Sequence, residues 1–319
     1  MSSNKQYIKV LTNDLKHRGY QWKIGLNELD PNEQFNTEND CTPNALYVCE
    51  IKDFFKWINL YNNMAYVGYV TIPDDALITN MEYKIKTNKV ILHEPLISLV
   101  EFVKILINSG TNINVYNYDP FHYASTGGNL DIVELLISNG ANIHAREDYP
   151  LRAASLNGYL FIVELLLNHG ADIHANDEEA LCNASANGYL VIVECLIKYG
   201  ADIHANNDQA LRHASYNGHL NVIECLISHG ADIHAKEDSA LICASDNGHL
   251  PIVEYLIAHG ANIHARNDLA LRWASERGHL AVVKYLEDYI KNEKLKSKEI
   301  EELQKQLIDI QNKLNALTH

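Results

Sequence analysis

The sequence has no apolar run that a membrane or a secretion pathway could use. Residues Met1 to Tyr20 hold nothing of signal-peptide length, and no segment approaches the ~18 apolar residues of a membrane span. The longest run, Tyr159 to Leu167, is interrupted by Glu164. The six cysteines form no C-x-x-C pair. Cys195 and Cys225 stand 30 residues apart at a position filled elsewhere by Leu135, Leu165 and Tyr255, which marks a buried apolar slot and a reducing compartment. The single glycosylation sequon, Asn183-Ala184-Ser185, is then a chance match. These absences lead to the expectation of a soluble, intracellular protein.

Catalytic signatures are missing too. The chain has no H-E-x-x-H, G-x-x-x-x-G-K-[ST], G-x-G-x-x-G or G-x-S-x-G. Gly127-Gly128 occupies an ordinary turn position and is no phosphate loop. His17, Cys41, Cys49 and several carboxylates lie near the N-terminus, but in no arrangement that names a reaction. No enzyme activity and no cofactor are expected.

Positive charge is scarce where the chain is longest. Residues 91–290 carry 10 basic and 25 acidic groups, whereas the flanks are close to balanced, with 10 and 11 before and 6 and 5 after. The formal net charge is −15. Such a surface repels phosphate backbones and excludes general nucleic-acid binding. Its plain role is to keep a long array soluble; its other use would be to attract a basic partner.

What the sequence does have is a repeat. From Phe121 to Ala270 the chain copies itself five times with a period of 30. A partial copy precedes, with Val103, Ile105, Leu106, Gly110 and Ile113 in register, and a truncated one runs from Leu271 to about Ile290. In the unit at Leu151, the residues Leu151, Ala154 and Ser155 share one face of a first helix, which Gly158 ends. Ile162, Val163 and Leu166 form the stripe of a second helix, which Gly170 ends. Ala171 to Ala175 reads as extended, anchored by Ile173. Neither helix is long enough to stand alone, and stacking buries the apolar edge of each unit against the next.

The pattern N-G-H-L-x-[IV]-[VI]-E-x-L-I-x-x-G-A-[DN]-I-H-A resembles the ankyrin repeat over about 170 to 200 residues. The resemblance implies a helical solenoid that binds other proteins. The family usually repeats at 33 residues, so three are missing here, just before Tyr149-Pro150-Leu151-Arg152 and Gln209-Ala210-Leu211-Arg212. Family members build a β-hairpin fingertip there. Its place should be taken by a short loop such as Ala205 to Asp208, with few residues paired as strands. Units of this length with G-A-D-I-H-A are similar to those of ankyrin proteins of giant DNA viruses of the mimivirus type. Gly25-Leu26-Asn27, Cys41 to Tyr47, Val70 to Asp75 and Asn88 to Leu92 resemble the leader domain of those proteins, which implies no biochemical role.

The fold expected is therefore mainly α, in three parts. Residues 1–94 form a small α+β domain, with strands at Ala45 to Cys49, Tyr66 to Ile72 and Lys89 to Leu92 and a helix over 50–60 containing Ile51, Phe54, Phe55 and Ile58. It would cover the exposed edge of the first repeat. Residues 95–290 form the ankyrin-type array of about seven helix pairs. Residues 291–319 form an amphipathic helix in which Ile300, Leu303, Leu307, Ile310, Leu314 and Leu317 alternate at coiled-coil spacing. That helix either docks on the stack or frays as a monomer, or it self-associates weakly through 300–317.

His144, His174, His204, His234 and His264 recur in one slot, but units stack at roughly 8–10 Å, too far apart for zinc bonds of about 2 Å. Hydrogen bonding to loop backbone is the expected role, and no metal. His219, His249 and His279 alternate with Tyr159 and Tyr189, which points to packing and loop bonding. Glu134, Glu164, Glu194, Glu224 and Glu254 suit a solvated or inter-repeat role. Variation falls on two first-helix columns, Tyr123, Ala153, Asn183, His213, Cys243, Trp273 and Thr126, Leu156, Ala186, Tyr216, Asp246, Glu276. In ankyrin proteins such positions tend to line a concave groove. Tyr123, Leu156, His213, Tyr216, Asp246, Trp273 and Glu276 are the candidate partner-binding residues, with Tyr216 and Trp273 as anchors, although Trp273 also suits a core position. The expectation is a scaffold for a protein partner, a host protein if the viral likeness holds. A ubiquitin-ligase substrate adaptor, an N-terminal enzyme carried on the array, and a virion component are the other readings.

Overall fold

The computed structural model describes residues 6–12, 16–17, 20–28, 46–51, 54, 64–81, 84–114 and 120–317. Two compact units make up the chain, Met1–Ala175 and Asn176–His319.

The first unit opens with ten strands: β1 (Tyr7–Thr12), β2 (Lys16–His17), β3 (Tyr20–Gln21), β4 (Gly25–Glu28), β5 (Leu46–Glu50), β6 (Met64–Thr71), β7 (Ile78–Asn80), β8 (Ile85–Thr87), β9 (Lys89–Leu92) and β10 (Ile97–Ser98). They form a sheet in the order β4-β9-β6-β1-β5-β8-β7, with β10 added to β6, while β2 and β3 pair separately. Every pairing is antiparallel. Composition picks out β5, β6 and β9; the other strands are additions to that expectation. The helix expected over 50–60 lies outside the described residues, Glu50, Ile51 and Phe54 excepted, and so does Cys41. Leu11, Trp22, Val48, Val70, Val90 and Leu92 pack together in the sheet core. Lys9 is fully buried in β1; its Nζ donates to the Tyr47 carbonyl at 3.0 Å and stands 4.5 Å from the Trp22 ring centre, so the ammonium has acceptors on both sides.

Helix α1 (Leu99–Asn108) follows β10 and is capped by Ser98, whose hydroxyl accepts from the Glu101 N–H at 3.2 Å. Its buried Phe102 packs edge-on against Phe54, at 4.9 Å between ring centres, and against Tyr69 at 6.4 Å. The sheet thus covers the apolar side of the first array helix. Two pairs complete this unit's helices, α2 (Pro120–Thr126) with α3 (Leu130–Ser138) and α4 (Ala145–Asn157) with α5 (Leu160–Asn168).

Helices α6 (Ala175–Ala186), α7 (Leu190–Lys198), α8 (Ala205–Asn217), α9 (Leu220–Ser228), α10 (Ala235–Asp246), α11 (Leu250–Ala258), α12 (Ala265–Arg277) and α13 (Leu280–Leu317) continue the alternation. Among the described residues the array is a lone α1 and six pairs, where about seven pairs were expected. Ile97 and Ser98, just ahead of α1, pair with β6 as a strand instead of ending a first helix. The boundary expected at 290 falls inside α13, which runs unbroken for 38 residues. Val282 and Leu286 in its first turns are buried, and every residue from 294 to 313 is exposed.

The shortened tip is the main departure from expectation. Ala205 to Asp208 is not an irregular loop. Asn206, Asn207 and Asp208 have φ of 53°, 58° and 52°, one turn of left-handed backbone ahead of the right-handed helix. The same turn recurs at 146–148, 176–178, 236–238 and 266–268. Non-glycine residues pay on the order of 1–2 kcal/mol each in this region, so bonds must offset it. Asp208, buried at the end of the turn, accepts from the Asp232 N–H of the following repeat at 2.8 Å. Asp148 accepts from Asp172 N–H at 2.8 Å and Asp238 from Asn262 N–H at 2.7 Å. The Arg212 guanidinium closes the other side by donating to the Asn207 and Asn206 carbonyls at 3.1 and 2.9 Å, as Arg152 does to Glu147 and Arg146. Ala171 to Ala175 is likewise a turn and not extended chain: Asp172 accepts from the His174 N–H at 2.9 Å, and Ile173 is buried as an anchor.

Candidate functional site

The two histidine columns do different jobs, and both are structural. In the first column the ring Nδ1 of His144, His204 and His234 lies 3.0–3.2 Å from the carboxylate of Asp148, Asp208 and Asp238. The partner is a side chain, which corrects the expectation of backbone bonding. An imidazole facing a carboxylate donates from Nδ1, so each ring locks the aspartate that receives the next repeat's N–H. Asn114, which interrupts the column, does the same work alone: its Oδ1 accepts from Asn142 N–H at 2.9 Å and its amide donates to the Gly140 carbonyl at 3.2 Å. At the other end His264 bonds Asp268 at 2.6 Å through Nδ1 and Glu293 of α13 at 3.2 Å through Nε2. The Asp268 hydrogen bond, reinforced by Glu293, raises the His264 pKa against a smaller opposing cost of burial. Among the described residues no three metal-ligating groups converge.

In the second column the ring lies over the preceding repeat's turn glycine. His219, His249 and His279 donate from Nε2 to the carbonyls of Ala186, Tyr216 and Asp246 at 2.9–3.0 Å. A Cβ on Gly188, Gly218 or Gly248 would sit 2.5–2.8 Å from those rings, and one on Gly128 would sit 2.6 Å from Tyr159. A ring in this slot therefore requires glycine one repeat earlier.

Three of the described cysteines are held as thiols. Burial, with the Glu178 charge second, pushes the Cys182 thiol up to about 12, and burial raises Cys225 and Cys243 as well. The slot of Cys195 and Cys225 is less uniform than expected: Cys195 is buried, while Leu135, Leu165, Cys225 and Tyr255 are half-buried. The glutamate column stands in solvent, apart from a half-buried Glu164.

The variable first-helix columns differ in exposure only in part, because Thr126, Ala186 and Asp246 are half-buried like most of the 123 column. In the 123 column Ala153 is buried, and Tyr123, Asn183, His213, Cys243 and Trp273 are half-buried. In the 126 column, one turn on, three members stand further out: Leu156 is 43 % exposed, Tyr216 51 %, and Glu276 is exposed. Tyr123 and Leu156 belong to the first compact unit and the other five candidates to the second. In the second unit α8 packs beside α10 and α10 beside α12, which brings His213 and Tyr216, then Asp246, then Trp273 and Glu276 onto adjacent helices. Asp246 is engaged already, with Arg277 at 3.0 Å, and His213 bonds Gln209 at 3.3 Å. Burial, helped by the Arg212 charge, lowers the His213 pKa. In the first unit His122 stacks on Tyr149 at 4.2 Å and meets Tyr123 edge-on at 4.9 Å. Burial, then the Arg146 charge, lowers its pKa to about 4. Sequence reasoning passed over His122, whose only signal is two aromatic neighbours, Phe121 and Tyr123.

A family model of ankyrin repeats (3 copies) matches residues 83–147, 151–237 and 211–297, more than half of the chain. The chain belongs to the ankyrin-repeat family. Curated relatives of this chain come from Acanthamoeba polyphaga mimivirus. Protein R869 is 31 % identical over 134 residues, covering 41 % of this chain and 96 % of the relative. Two others carry ankyrin repeat in their names: R896, 32 % identical over 39 % of this chain and 38 % of its own length, and R868, 27 % identical over 41 % and 65 %. No helix among the described residues is long and apolar enough to cross a membrane.

Proposed function

We propose that this chain is a non-enzymatic protein-interaction scaffold, which holds a protein partner on its first-helix columns. One observation carries the reading. The repeated residues are spent on holding repeat to repeat, through the His–Asp turns and the ring-over-glycine contacts, while the first-helix positions of the 126 column differ in every repeat and are exposed in three of them. Leu156, Tyr216 and Glu276 thus present apolar, aromatic and anionic groups from similar backbone sites, a mixture suited to recognition and not to internal packing. Ankyrin-repeat relatives encoded by a virus make a host protein the natural partner.

The full-length tagged chain is the bait for the test, in lysate of Acanthamoeba polyphaga with quantitative mass spectrometry. At least one protein should be enriched by the wild-type chain and lost when Leu156, Tyr216 and Glu276 are together changed to alanine, at unchanged helical content. Enrichment that survives the triple substitution would contradict the reading and move recognition to another surface.

A further inference from the structure

Helix α13 is one element with two halves. Its first half lies on the array: Val282 and Leu286 are buried and Tyr289 is half-buried, in contact with α11 and α12. These residues occupy d, a and d of a heptad register. The register then meets two polar residues, Glu293 and Lys296, and resumes as Ile300, Leu303, Leu307 and Ile310. In this second half the same stripe is 54–61 % exposed. A stripe kept at heptad spacing winds by only about 20° per heptad on a straight helix, so it continues along the array-facing side after the array has ended. Polar residues fall where the support stops, and apolar ones return beyond it.

We infer that the second half of α13 pairs antiparallel with the same segment of a second copy of this chain. Continuity with the buried stripe says that the face is built for a helical neighbour. Charge says which neighbour and which direction. The flanking g positions are Glu299, Gln306 and Lys313, and the e positions are Gln304 and Gln311. In an antiparallel pair that sets Ile300 opposite the second copy's Ile310, and Leu303 opposite its Leu307, g faces g. Glu299 then meets the second copy's Lys313, the reciprocal pair forms by symmetry, and Gln306 meets its own counterpart. In a parallel pair Glu299 would face only a glutamine. Lys313 already holds Asp309 at 2.7 Å on its own helix, on the exposed surface, and can share both carboxylates. Ile308, 57 % exposed, stands off this seam.

Two heptads fall short of the roughly three to four that make a robust coiled coil, so association is weak and must be followed across concentration, from about 5 to about 500 µM. Sedimentation velocity on the full chain is the measurement. The wild type should shift from monomer toward dimer over this range. Leu303→Asn with Leu307→Asn should stay monomeric, Ile308→Asn should behave as wild type, and the thermal midpoint of the array should not move in either. Glu299→Lys and Lys313→Glu should each weaken the dimer by about five-fold through two like-charge contacts, and the two together should restore it. A wild type that is monomeric throughout, or a dimer indifferent to the Leu303 and Leu307 changes, would overturn the proposal. Single charge variants that dimerise like wild type would overturn the antiparallel direction.

Discussion

Residues in the helical repeats have partners that can be named from position alone, whereas in the N-terminal sheet each contact is used once. The residue 24 places after Asp148, Asp208 or Asp238 donates its N–H to that aspartate. The histidine 33 places after Ala186, Tyr216 or Asp246 donates to that residue's carbonyl. No such rule links Lys9 to Tyr47, or β1 to β5 and β6 on either side of it. The lesson is about where specificity resides. A solenoid spends the same few side chains in every unit on nearest neighbours, and only positions outside those bonds are left to diversify.

The largest effect should come from breaking the ring-over-glycine contact. Gly218 has φ +88° and a Cβ there would meet His249 Cε1 at 2.8 Å, whereas Gly260, at φ +100°, has nothing within 4 Å. Both substitutions incur backbone strain; only one also displaces a neighbour. Gly218→Val should lower stability by more than ~1 kcal/mol, and Gly218→Ala should cost more than Gly260→Ala in thermal melting. Equal midpoints for the two alanine variants would show that the ring contact contributes nothing.

Next in size is the aspartate that joins repeats. Asp208→Ala leaves the Asp232 N–H without its acceptor, a loss of about 1–3 kcal/mol, and should raise amide exchange in the repeat that follows. Asn27, buried in β4, closes its own turn through Lys23 and Gly25. Asn27→Ala should therefore disturb only its immediate strand. Exchange that spreads equally from both sites would erase the distinction between array and sheet.

These contacts also mark how far the sequence could be read. Period, helix pairing and turn glycines followed from in-register residues such as Gly158, Gly170 and Ile173. The left-handed turn did not: Asn206, Asn207 and Asp208 are residues that tolerate positive φ, but Arg146, Glu147, Lys236 and Glu237 at the same places are not, so the composition of the slot gave no consistent signal. Its signal was nonetheless present as a histidine with an aspartate or glutamate four places on, in each unit from His144 to His264. In the sheet only β5, β6 and β9 stood out. Strand β1 is held by partners about 40 to 60 residues away and carries a buried lysine, so neither composition nor alternation reports it. The candidate surface was legible as variation, but that Leu156, Tyr216 and Glu276 are its exposed members needed the packed helices.

A smaller effect separates the end of the array from its middle. Bonds to Asp268 and Glu293 raise the His264 pKa above its ordinary value of 6.5. A raised histidine contributes stability fully below that ordinary value and loses it as pH rises through the folded value. His264→Gln should therefore lower the thermal midpoint most below pH 6.5, with the difference shrinking as pH climbs above it. Because the ring is largely solvent-exposed, a shift of a few degrees at most is expected. A difference that grows with pH would have the wrong sign.

The central claim, that recognition uses what the scaffold leaves free to vary, is tested most directly by capture of the main partner at matched circular dichroism. Tyr216→Ala with Glu276→Ala removes an exposed aromatic and an exposed carboxylate from first helices of one compact unit. Truncating a tyrosine anchor can cost ~2 kcal/mol, on the order of a thirty-fold loss of affinity, so capture should be abolished. Glu194→Ala with Glu224→Ala, on exposed second-helix positions, should leave it nearly intact at physiological salt. Equal recovery by the Tyr216/Glu276 variant and the wild type would contradict the claim.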